Sequence, residues 1–349
     1  MLEQIEGEKV SNFLISKQAN IKTKKAIHSI KVEGGIVDKL TPGTILNKKD
    51  NIEWYVKKYY EKLYKKEISD EKLQTWFLQF IDEKISDNIS NDLDKEVDNN
   101  EIFQAVKKLN INKSPGLDGI PNEFYLKYWD IIGNDVSEVI KNIISGTLLQ
   151  GKQKSALITL IPKDGDLELL KSWRPISLLC SDVKIVAKIL ALRLNPFMPD
   201  LISENQYCVY NKSIVECNTQ MRDIMYYAGS NNVTGAIVNL DWEKAFDRVS
   251  WEFLTKIMKK LGFSNFIIKW LVTLYTNITS SCLINGYITG EFSVERGVRQ
   301  GCPFSMLAFV LFQDPLYQAI EKSSKIIPLE LPCNSVNEIG YADDTSIFV

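Results

Sequence analysis

Hydrophobic positions recur along the chain at a spacing that predicts several helices. Apolar residues three or four positions apart occur in five segments, "NIEWYVKKYYEKLYKKE", "EIFQAVKKL", "SDVKIVAKILALRL", "SWEFLTKIMKKLG" and "SMLAFVLFQDPLYQAIEK". Ser181 or Asp182 is a suitable cap for the third segment, and Ser250 and Gly262 bound the fourth. The polar stretch "SDNISNDLDKEVDNN" predicts a loop or a boundary.

Apolar runs that end in turn residues predict strands between these helices. The run "SALITLIP" precedes the turn "KDGD", and the run "AIVNL" ends in Asp241. The dipeptide Asn285-Gly286 inside "SSCLINGYITGEFSVERG" is a strong hairpin signal, and "NEIGYADDTSIFV" predicts a hairpin with its turn at "YADD". Since hairpin-joined strands alternate with helices, we predict an α+β fold with a mostly antiparallel sheet.

Charge is balanced overall but unevenly distributed. The 349 residues, enough for two domains or one large one, carry a net charge of -2, which by itself argues mildly against a nucleic-acid partner. Lysines are concentrated in the first third, whereas only Lys322 and Lys325 are basic beyond Gln300. A nucleic-acid groove needs only a local basic stripe, so this distribution matters more than the net charge. Solvated helix faces are the alternative interpretation of any one lysine cluster.

The rarer residue types exclude several kinds of site. His28 is the only histidine, which excludes histidine-based zinc sites and Ser-His-Asp or Cys-His catalysis. The six cysteines include no C-x-x-C pair. Neither a signal peptide nor an apolar run of about 18 residues occurs, so we expect an intracellular protein that does not enter a membrane.

Carboxylates at two predicted strand ends form the candidate site. Asp343 and Asp344 lie at the hairpin turn, and Asp241 ends a similar apolar strand. If the strands are neighbours, three carboxylates meet, and they stay ionised only when cations neutralise them. Ligation by oxygen alone favours Mg²⁺ or Mn²⁺, and two such ions serve phosphoryl transfer. Surface acids that merely terminate strands are the alternative.

Several motifs, taken in order, resemble one family. "NLDWEKAFDRVSWEFL", "RGVRQGCPFS" and "YADD" are similar to the palm motifs of reverse transcriptases from LINE-type retrotransposons, which lack long terminal repeats. "SPGLDGIPNEFY", "ALITLIPKDGD", "WRPISLL" and "VAKILALRL" resemble the fingers region of that family, and "EGEKVSNFLISKQ" and "YYEKLYKKE" more weakly resemble the segment before it. The resemblance implies a helical lead segment at 1–100, fingers at 101–230 and a palm at 231–349 that stops after the "YADD" turn.

The resemblance implies a role for each residue at the palm end of the site. Asp241 and Asp343 would bind two Mg²⁺ ions, with Mn²⁺ as a possible substitute, and Asp344 would complete the acidic cluster. Trp242 would lie near the incoming triphosphate. Phe246 would be the steric gate that rejects the 2′-hydroxyl of a ribonucleotide. Core packing of Phe246 is the alternative interpretation.

Four further residues match positions that bind the nucleotide in the family. Gln300 and Gly301 would form the loop that packs on the incoming nucleotide and the template. Lys163 and Arg174 would hold the triphosphate, because charged donors suit phosphate oxygens. A structural ion pair for Arg174 and a simple turn at Gly301 are the alternatives.

The sequence departs from the family pattern in three places. Phe304 and Met306 replace the family's usual leucine and proline around Ser305. The stretch "ENQYCVYNKSI" lacks an expected glycine and arginine. The family's thumb and endonuclease are not matched, so we expect Ile347, Phe348 and Val349 to lack the neighbours that later residues would supply and to leave an apolar surface of the sheet uncovered.

The implied function is DNA synthesis on an RNA template. A primer 3′-hydroxyl would attack the α-phosphate of a deoxynucleotide, so the implied partners are an RNA template, a DNA primer and deoxynucleoside triphosphates, in the nucleus or the cytoplasm. A truncated, inactive relic or a domesticated nucleic-acid-binding protein is the alternative. A two-metal phosphohydrolase is a third reading, and it would need a second acidic cluster or a general base.

Overall fold

The computed structural model describes residues 26–37, 40–82, 85–331 and 335–349. The segment "EGEKVSNFLISKQ" and Cys333 lie outside the described residues. The helices of the described part are α1 Lys49–Leu63, α2 Glu71–Leu78, α3 Asp87–Leu93, α4 Asn99–Lys107, α5 Asn122–Ile144, α6 Ser181–Leu194, α7 Ile214–Ser230, α8 Trp251–Lys260, α9 Asn265–Tyr275 and α10 Ser305–Glu321. Its strands are β1 Ile30–Lys31, β2 Ile45–Leu46, β3 Ser155–Pro162, β4 Trp173–Leu178, β5 Ile237–Leu240, β6 Thr279–Ile284, β7 Tyr287–Ile288, β8 Phe292–Ser293, β9 Leu329–Glu330, β10 Ser335–Val336, β11 Glu338–Tyr341 and β12 Asp344–Phe348.

The five helices predicted from periodicity are confirmed as α1, α4, α6, α8 and α10. In α8 the hydroxyl oxygen of Ser250 accepts a hydrogen bond from the N–H of Phe253 at 3.3 Å. The helix is followed by Gly262 with φ of +89°, a conformation that glycine adopts without a Cβ clash. The predicted start and stop signals of this helix are therefore correct.

Two local predictions about helices are wrong. Helix α3 forms inside the polar stretch predicted to be a loop, because Ser86 caps it and Leu93 is buried. In α6 the N-cap residue is Cys180, and the Ser181 hydroxyl donates to the carbonyl oxygen of Ile120 instead. A local cap signal was thus missed at α3, whereas a tertiary contact overrides the local signal at α6.

The strands form two larger sheets with different pairing. The sheet β11-β12-β5 is antiparallel throughout. The other has the order β4-β3-β6-β7, with β8 also paired to β6, and its β3–β6 pair is parallel. The α+β prediction is confirmed, and the parallel pair is the exception to the expected antiparallel pairing.

Both predicted hairpins are present. Ile284 pairs with Tyr287 across Asn285 and Gly286, which both have positive φ, as a type I′ turn requires. At the second hairpin Tyr341 pairs with Asp344, which leaves Ala342 and Asp343 as the turn.

One hydrophobic cluster runs through all three predicted ranges, from Ile27 to Leu311. A second, smaller cluster contains Ile224, Ile339 and Phe348. Phe348 is only 3% exposed, because α7 and β11 cover it, so the expected uncovered apolar surface does not include Phe348. A cavity of about 710 Å³ lined partly by Phe348 and Val349 stays open beside it. None of the helices in the described part of the chain has the length and hydropathy needed to cross a membrane.

Candidate active site

The register of β5 and β12 brings the predicted carboxylates to one end of the antiparallel sheet. Thr345 pairs with Leu240, and the next residues in this register are Asp344 and Asp241. Directly opposed residues on antiparallel strands have Cα atoms roughly 4.5–5.5 Å apart. Asp343 lies in the adjoining turn. The three acids predicted from separate parts of the sequence therefore lie at the same place in the fold.

These carboxylates are accessible and are not neutralised by the protein. Asp241 and Asp344 are exposed, and Asp343 is half-buried. Within the described ranges, no lysine or arginine forms a salt bridge with any of them. The oxygens of these three described residues do not all lie within 4.8 Å of one another. The backbone thus brings the acids to one place, although their oxygens do not form one compact group of three.

Asp247 is a buried acid beside the predicted site that the sequence analysis missed. Its Oδ1 accepts a hydrogen bond from the hydroxyl of Tyr64 at 2.8 Å, and its Oδ2 accepts one from Nε2 of Gln300 at 3.4 Å. Burial raises the pKa of Asp247 to about 6, although Tyr64 and the positive charges of Lys244 and Lys163 oppose the shift. An aspartate is usually exposed, so its residue type gave no signal that it would be buried.

The glycine-rich loop that contains Gln300 and Gly301 is fixed on two sides. The N–H of Val298 donates to the carbonyl oxygen of Phe246 at 2.7 Å, and the N–H of Ser177 in β4 donates to that of Gln300 at 2.7 Å. Gly301 has φ of +105°, and a Cβ there would lie 2.9 Å from the carbonyl oxygen of Ser177. The loop therefore connects β4 to the segment after Asp241, and only glycine fits at position 301.

Lys163 and Arg174 lie on one face of the β3–β4 hairpin. Arg174 pairs with Ile161, and the N–H of Lys163 donates to the carbonyl oxygen of Ser172 at 2.8 Å. Because alternate residues of a strand share a face, both cationic side chains leave the hairpin on the same side. Both residues are exposed, and Lys163 is close enough to Asp247 to lower its pKa.

Aromatic rings of α10 lie beside Trp242 and Phe246, which follow Asp241 in the sequence. The ring of Phe246 stacks on that of Phe309 in α10, with centroids 4.7 Å apart and planes 19° apart. Trp242 is 41% exposed. With Asp241 it lines a largely apolar cavity of about 460 Å³, whose other walls include Phe309 and Phe312. The ring of Phe246 is half-buried, so it has both core contacts and an accessible edge.

A different group of possible metal ligands lies in the 101–230 range. Ligand atoms of Asp118, Cys180 and Asp182 all lie within 4.8 Å of one another. Burial raises the pKa of the Cys180 thiol to about 11, so it is protonated at neutral pH. One oxygen of Asp182 accepts from Gln153 at 2.6 Å and the other from the N–H of Val183 at 2.7 Å. Both oxygens of Asp182 thus already accept hydrogen bonds from the protein. The group also contains a thiol, unlike the three carboxylates at the end of the antiparallel sheet.

Comparison with known proteins supports the motif resemblance. A family described as reverse transcriptase (RNA-dependent DNA polymerase) matches residues 161–349. This range begins at the end of β3 and contains β4 and all the strands of the antiparallel sheet.

Named relatives include proteins of several transposable elements. The transposon TX1 uncharacterized 149 kDa protein of Xenopus laevis is 34% identical over 74% of this chain and 20% of its own length. The Retrovirus-related Pol polyprotein from type-1 retrotransposable element R2 of Popillia japonica is 30% identical over 53% of this chain and 26% of its own. A probable RNA-directed DNA polymerase from transposon BS of Drosophila melanogaster is 33% identical over 46% and 18%. The chain thus spans about a quarter or less of the length of each of these relatives. It belongs to the reverse transcriptase family, in the LINE-type group whose elements lack long terminal repeats.

Proposed function

We propose that this chain carries the RNA-directed DNA polymerase of a LINE-type retrotransposon, which transfers a nucleotide from a deoxynucleoside triphosphate to a primer 3′-hydroxyl on an RNA template. The observation that carries the proposal is that Asp241 and Asp344 each lie one residue beyond the Leu240–Thr345 pair of β5 and β12, with Asp343 in the adjoining turn. Carboxylates arranged in this way suit metal-assisted phosphoryl transfer.

The donor set at the sheet end fits divalent metal ions, which this family uses. The candidate ligands are the carboxylates of Asp241, Asp343 and Asp344, and hard oxygen ligands favour Mg²⁺, with Mn²⁺ as a substitute. When bound, two such ions supply positive charge to the primer oxygen and to the leaving pyrophosphate. No lysine or arginine of the described ranges forms a salt bridge with these acids, so their oxygens are available to an ion.

The cationic hairpin and the glycine loop would bind the nucleotide. We assign Lys163 and Arg174 to the triphosphate, since both leave the same face of β3–β4. Gln300 and Gly301 would pack against the incoming nucleotide and the template, with Asp247 holding the amide of Gln300. Each of these residues would orient the substrate, which lowers the entropic part of the barrier.

Phe246 and Trp242 would act on the sugar and the triphosphate. Phe309 supports the ring of Phe246 from below, so that the ring can reject a 2′-hydroxyl by steric contact. Trp242 directly follows Asp241, and its backbone would lie beside the triphosphate. Phe246 would therefore select deoxynucleotides, whereas Trp242 would help to place them.

We further propose that 101–230 acts as the fingers and 231–349 as the palm, with 1–100 as a lead segment. The antiparallel sheet lies within 231–349, whereas β3 of the fingers range pairs with β6 of the palm range. The ranges are thus functional parts that share one core. Because the named relatives are much longer, thumb and endonuclease functions would come from other parts of such a protein, acting in the nucleus or cytoplasm.

The decisive experiment is primer extension on an RNA template with Mg²⁺ and deoxynucleotides. Asp241→Ala and Asp343→Ala should each lower extension by at least about a thousandfold, a loss of roughly 4 kcal/mol of transition-state stabilisation. Template binding should persist, because the acids repel the nucleic-acid backbone.

Asp223→Ala is the matched control, because Asp223 is an exposed acid on α7 whose one salt bridge among the described residues is to its neighbour Arg222. Near-wild-type extension by either site variant would overturn the metal assignment. A wild-type protein that binds primed RNA without extending it would favour the non-catalytic binder instead.

A further inference from the structure

The turn that carries Asp343 has an unfavourable backbone conformation for its sequence. Ala342 has φ of +54° and directly precedes Asp343 in the link between Tyr341 and Asp344. Glycine is favoured at a first turn position with positive φ, because a Cβ there crowds the backbone. An alanine in this conformation needs contacts from outside the hairpin.

The side chain of Gln206 supplies those contacts. Its Oε1 accepts a hydrogen bond from the N–H of Ala342 at 3.1 Å, and its Nε2 donates to the carbonyl oxygen of Ala342 at 3.3 Å. The same Oε1 accepts from the N–H of Cys208 at 2.9 Å. Gln206 is 3% exposed, so water does not replace it. The amide therefore bonds both polar backbone groups of Ala342, as a neighbouring strand would.

The segment that carries Gln206 is itself fixed to β11. The N–H of Gly340 donates to the carbonyl oxygen of Asn205 at 2.9 Å, and the N–H of Tyr207 donates to that of Gly340 at 2.8 Å. These bonds form a parallel bridge between Gln206 and Gly340. The position of Gln206 is thus set by the same strand that leads into the turn.

Helix α10 links Gln206 to the strand that follows the acid pair. Nε2 of Gln206 also donates to Oε1 of Gln313 at 3.4 Å, and Nε2 of Gln313 donates to the hydroxyl of Thr345 at 3.0 Å. The hydroxyls of Thr345 and Tyr317 share a hydrogen bond of 2.9 Å. Because Thr345 follows Asp344 directly, buried hydrogen bonds fix the backbone of Ala342 before the acid pair and the side chain of Thr345 after it.

We propose that Gln206 is a positioning residue that orients the carboxylates of Asp343 and Asp344 by holding Ala342 at positive φ. The inference rests on the proposed metal site of the polymerase. Without the amide, Ala342 relaxes towards negative φ and turns the following carboxylates away from Asp241. Metal affinity then falls, whereas template binding does not change.

A titration of the purified protein with Mn²⁺, followed by electron paramagnetic resonance, tests this without turnover. Gln206→Met keeps the side-chain length but removes both hydrogen-bonding groups, and Mn²⁺ affinity should fall at least about tenfold. Gln206→Glu keeps an acceptor for the N–H of Ala342, so its Mn²⁺ affinity should fall less than that of Gln206→Met. The glutamate variant is used instead if the methionine variant does not fold. Gln318→Met is the control, since Gln318 is a buried glutamine of α10 that bonds Asp314 and should leave Mn²⁺ affinity unchanged.

Ala342→Gly separates positioning from a general loss of stability. Glycine adopts positive φ without help, so Mn²⁺ affinity in Gln206→Met/Ala342→Gly should return to within about threefold of Ala342→Gly alone. Unchanged affinity in Gln206→Met, or a loss that the glycine does not rescue, would overturn the inference. Wild-type protein that binds Mn²⁺ but extends no primer would contradict the polymerase and leave the positioning role intact, whereas no Mn²⁺ binding would overturn both.

Discussion

The hydroxyl of Tyr64, at the end of α1, donates a 2.8 Å hydrogen bond to the buried carboxylate of Asp247. The other oxygen of Asp247 accepts from Gln300, so one acid connects a helix of the lead range to the proposed nucleotide-binding loop. This contact spans 183 positions of sequence. The lead range is therefore part of the structure that supports the site.

Tyr64→Phe should destabilise the protein by about 1–3 kcal/mol, because a buried charged acceptor loses a donor. Since burial raises the pKa of Asp247 to about 6 and the Tyr64 hydroxyl opposes that rise, the hydrogen bond stabilises the ionised form. The loss should therefore be larger at pH 8, where Asp247 is ionised, than at pH 5. Urea denaturation at the two pH values measures it.

Tyr60→Phe is the matched control for this measurement. Tyr60 lies one turn earlier on α1, is fully buried, and its hydroxyl has no hydrogen-bond partner within the described part of the chain. Removing that hydroxyl should leave the free energy of unfolding unchanged or raise it. Equal losses for both variants would contradict the assigned role of Tyr64.

Gly301→Ala should lower primer extension at least about tenfold, since an added Cβ 2.9 Å from the Ser177 carbonyl oxygen must move the loop that carries Gln300. Gly119→Ala is the control. Gly119 also has positive φ, +76°, but its Cβ would meet nothing within 4 Å. Both variants incur backbone strain, so the difference in extension rate reports the close approach alone. Equal rates would mean that the loop position does not matter.

Phe246→Ala should raise incorporation of ribonucleotides relative to deoxynucleotides by at least about tenfold, roughly 1.4 kcal/mol. Removing the ring removes the steric contact with the 2′-hydroxyl. Phe309→Leu weakens the stacking under the ring but keeps Phe246, and it should change the ratio much less. Competition assays with both nucleotide types measure the ratio. An unchanged ratio in Phe246→Ala would identify Phe246 as core packing only.

Glu338→Gln should stabilise the protein at pH 8. Burial raises the pKa of Glu338 to about 7, with Glu321 and Asp314 adding to the shift and Asn205 opposing it. A carboxyl with a raised folded pKa makes stability fall as the pH rises from about 4.5 to about 7. The free energy of unfolding of the glutamine variant should therefore exceed that of the wild type by on the order of 3 kcal/mol at pH 8, and by little at pH 4.

Glu330→Gln is the control for that prediction, because Glu330 is exposed on β9. Thermal unfolding between pH 4 and pH 8 compares the two variants with the wild type. A Glu338 variant that is less stable than the wild type at pH 8 would show that the ionised carboxylate contributes favourably to the fold.

The sequence by itself determined the elements whose signals are local. Helix α8 could be predicted from its apolar spacing, its Ser250 cap and Gly262, since these act within one or two turns. The hairpin at Asn285-Gly286 followed from the preference of these residues for positive φ. The acids at two strand ends could also be predicted, because an apolar run that ends in an acid is recognisable without knowing which strand pairs with it.

Only the tertiary structure decided which distant segments meet. The parallel pairing of β3 with β6 joins residues 155–159 to 279–283, and no local pattern selects that partner. The burial of Asp247 and of Gln206 also could not be predicted from the sequence, because polar residues of these types are usually exposed. Each is buried because the fold provides its hydrogen-bond partners, Tyr64 and Gln300 for one and Ala342 for the other. Such partners exist only once the chain has packed.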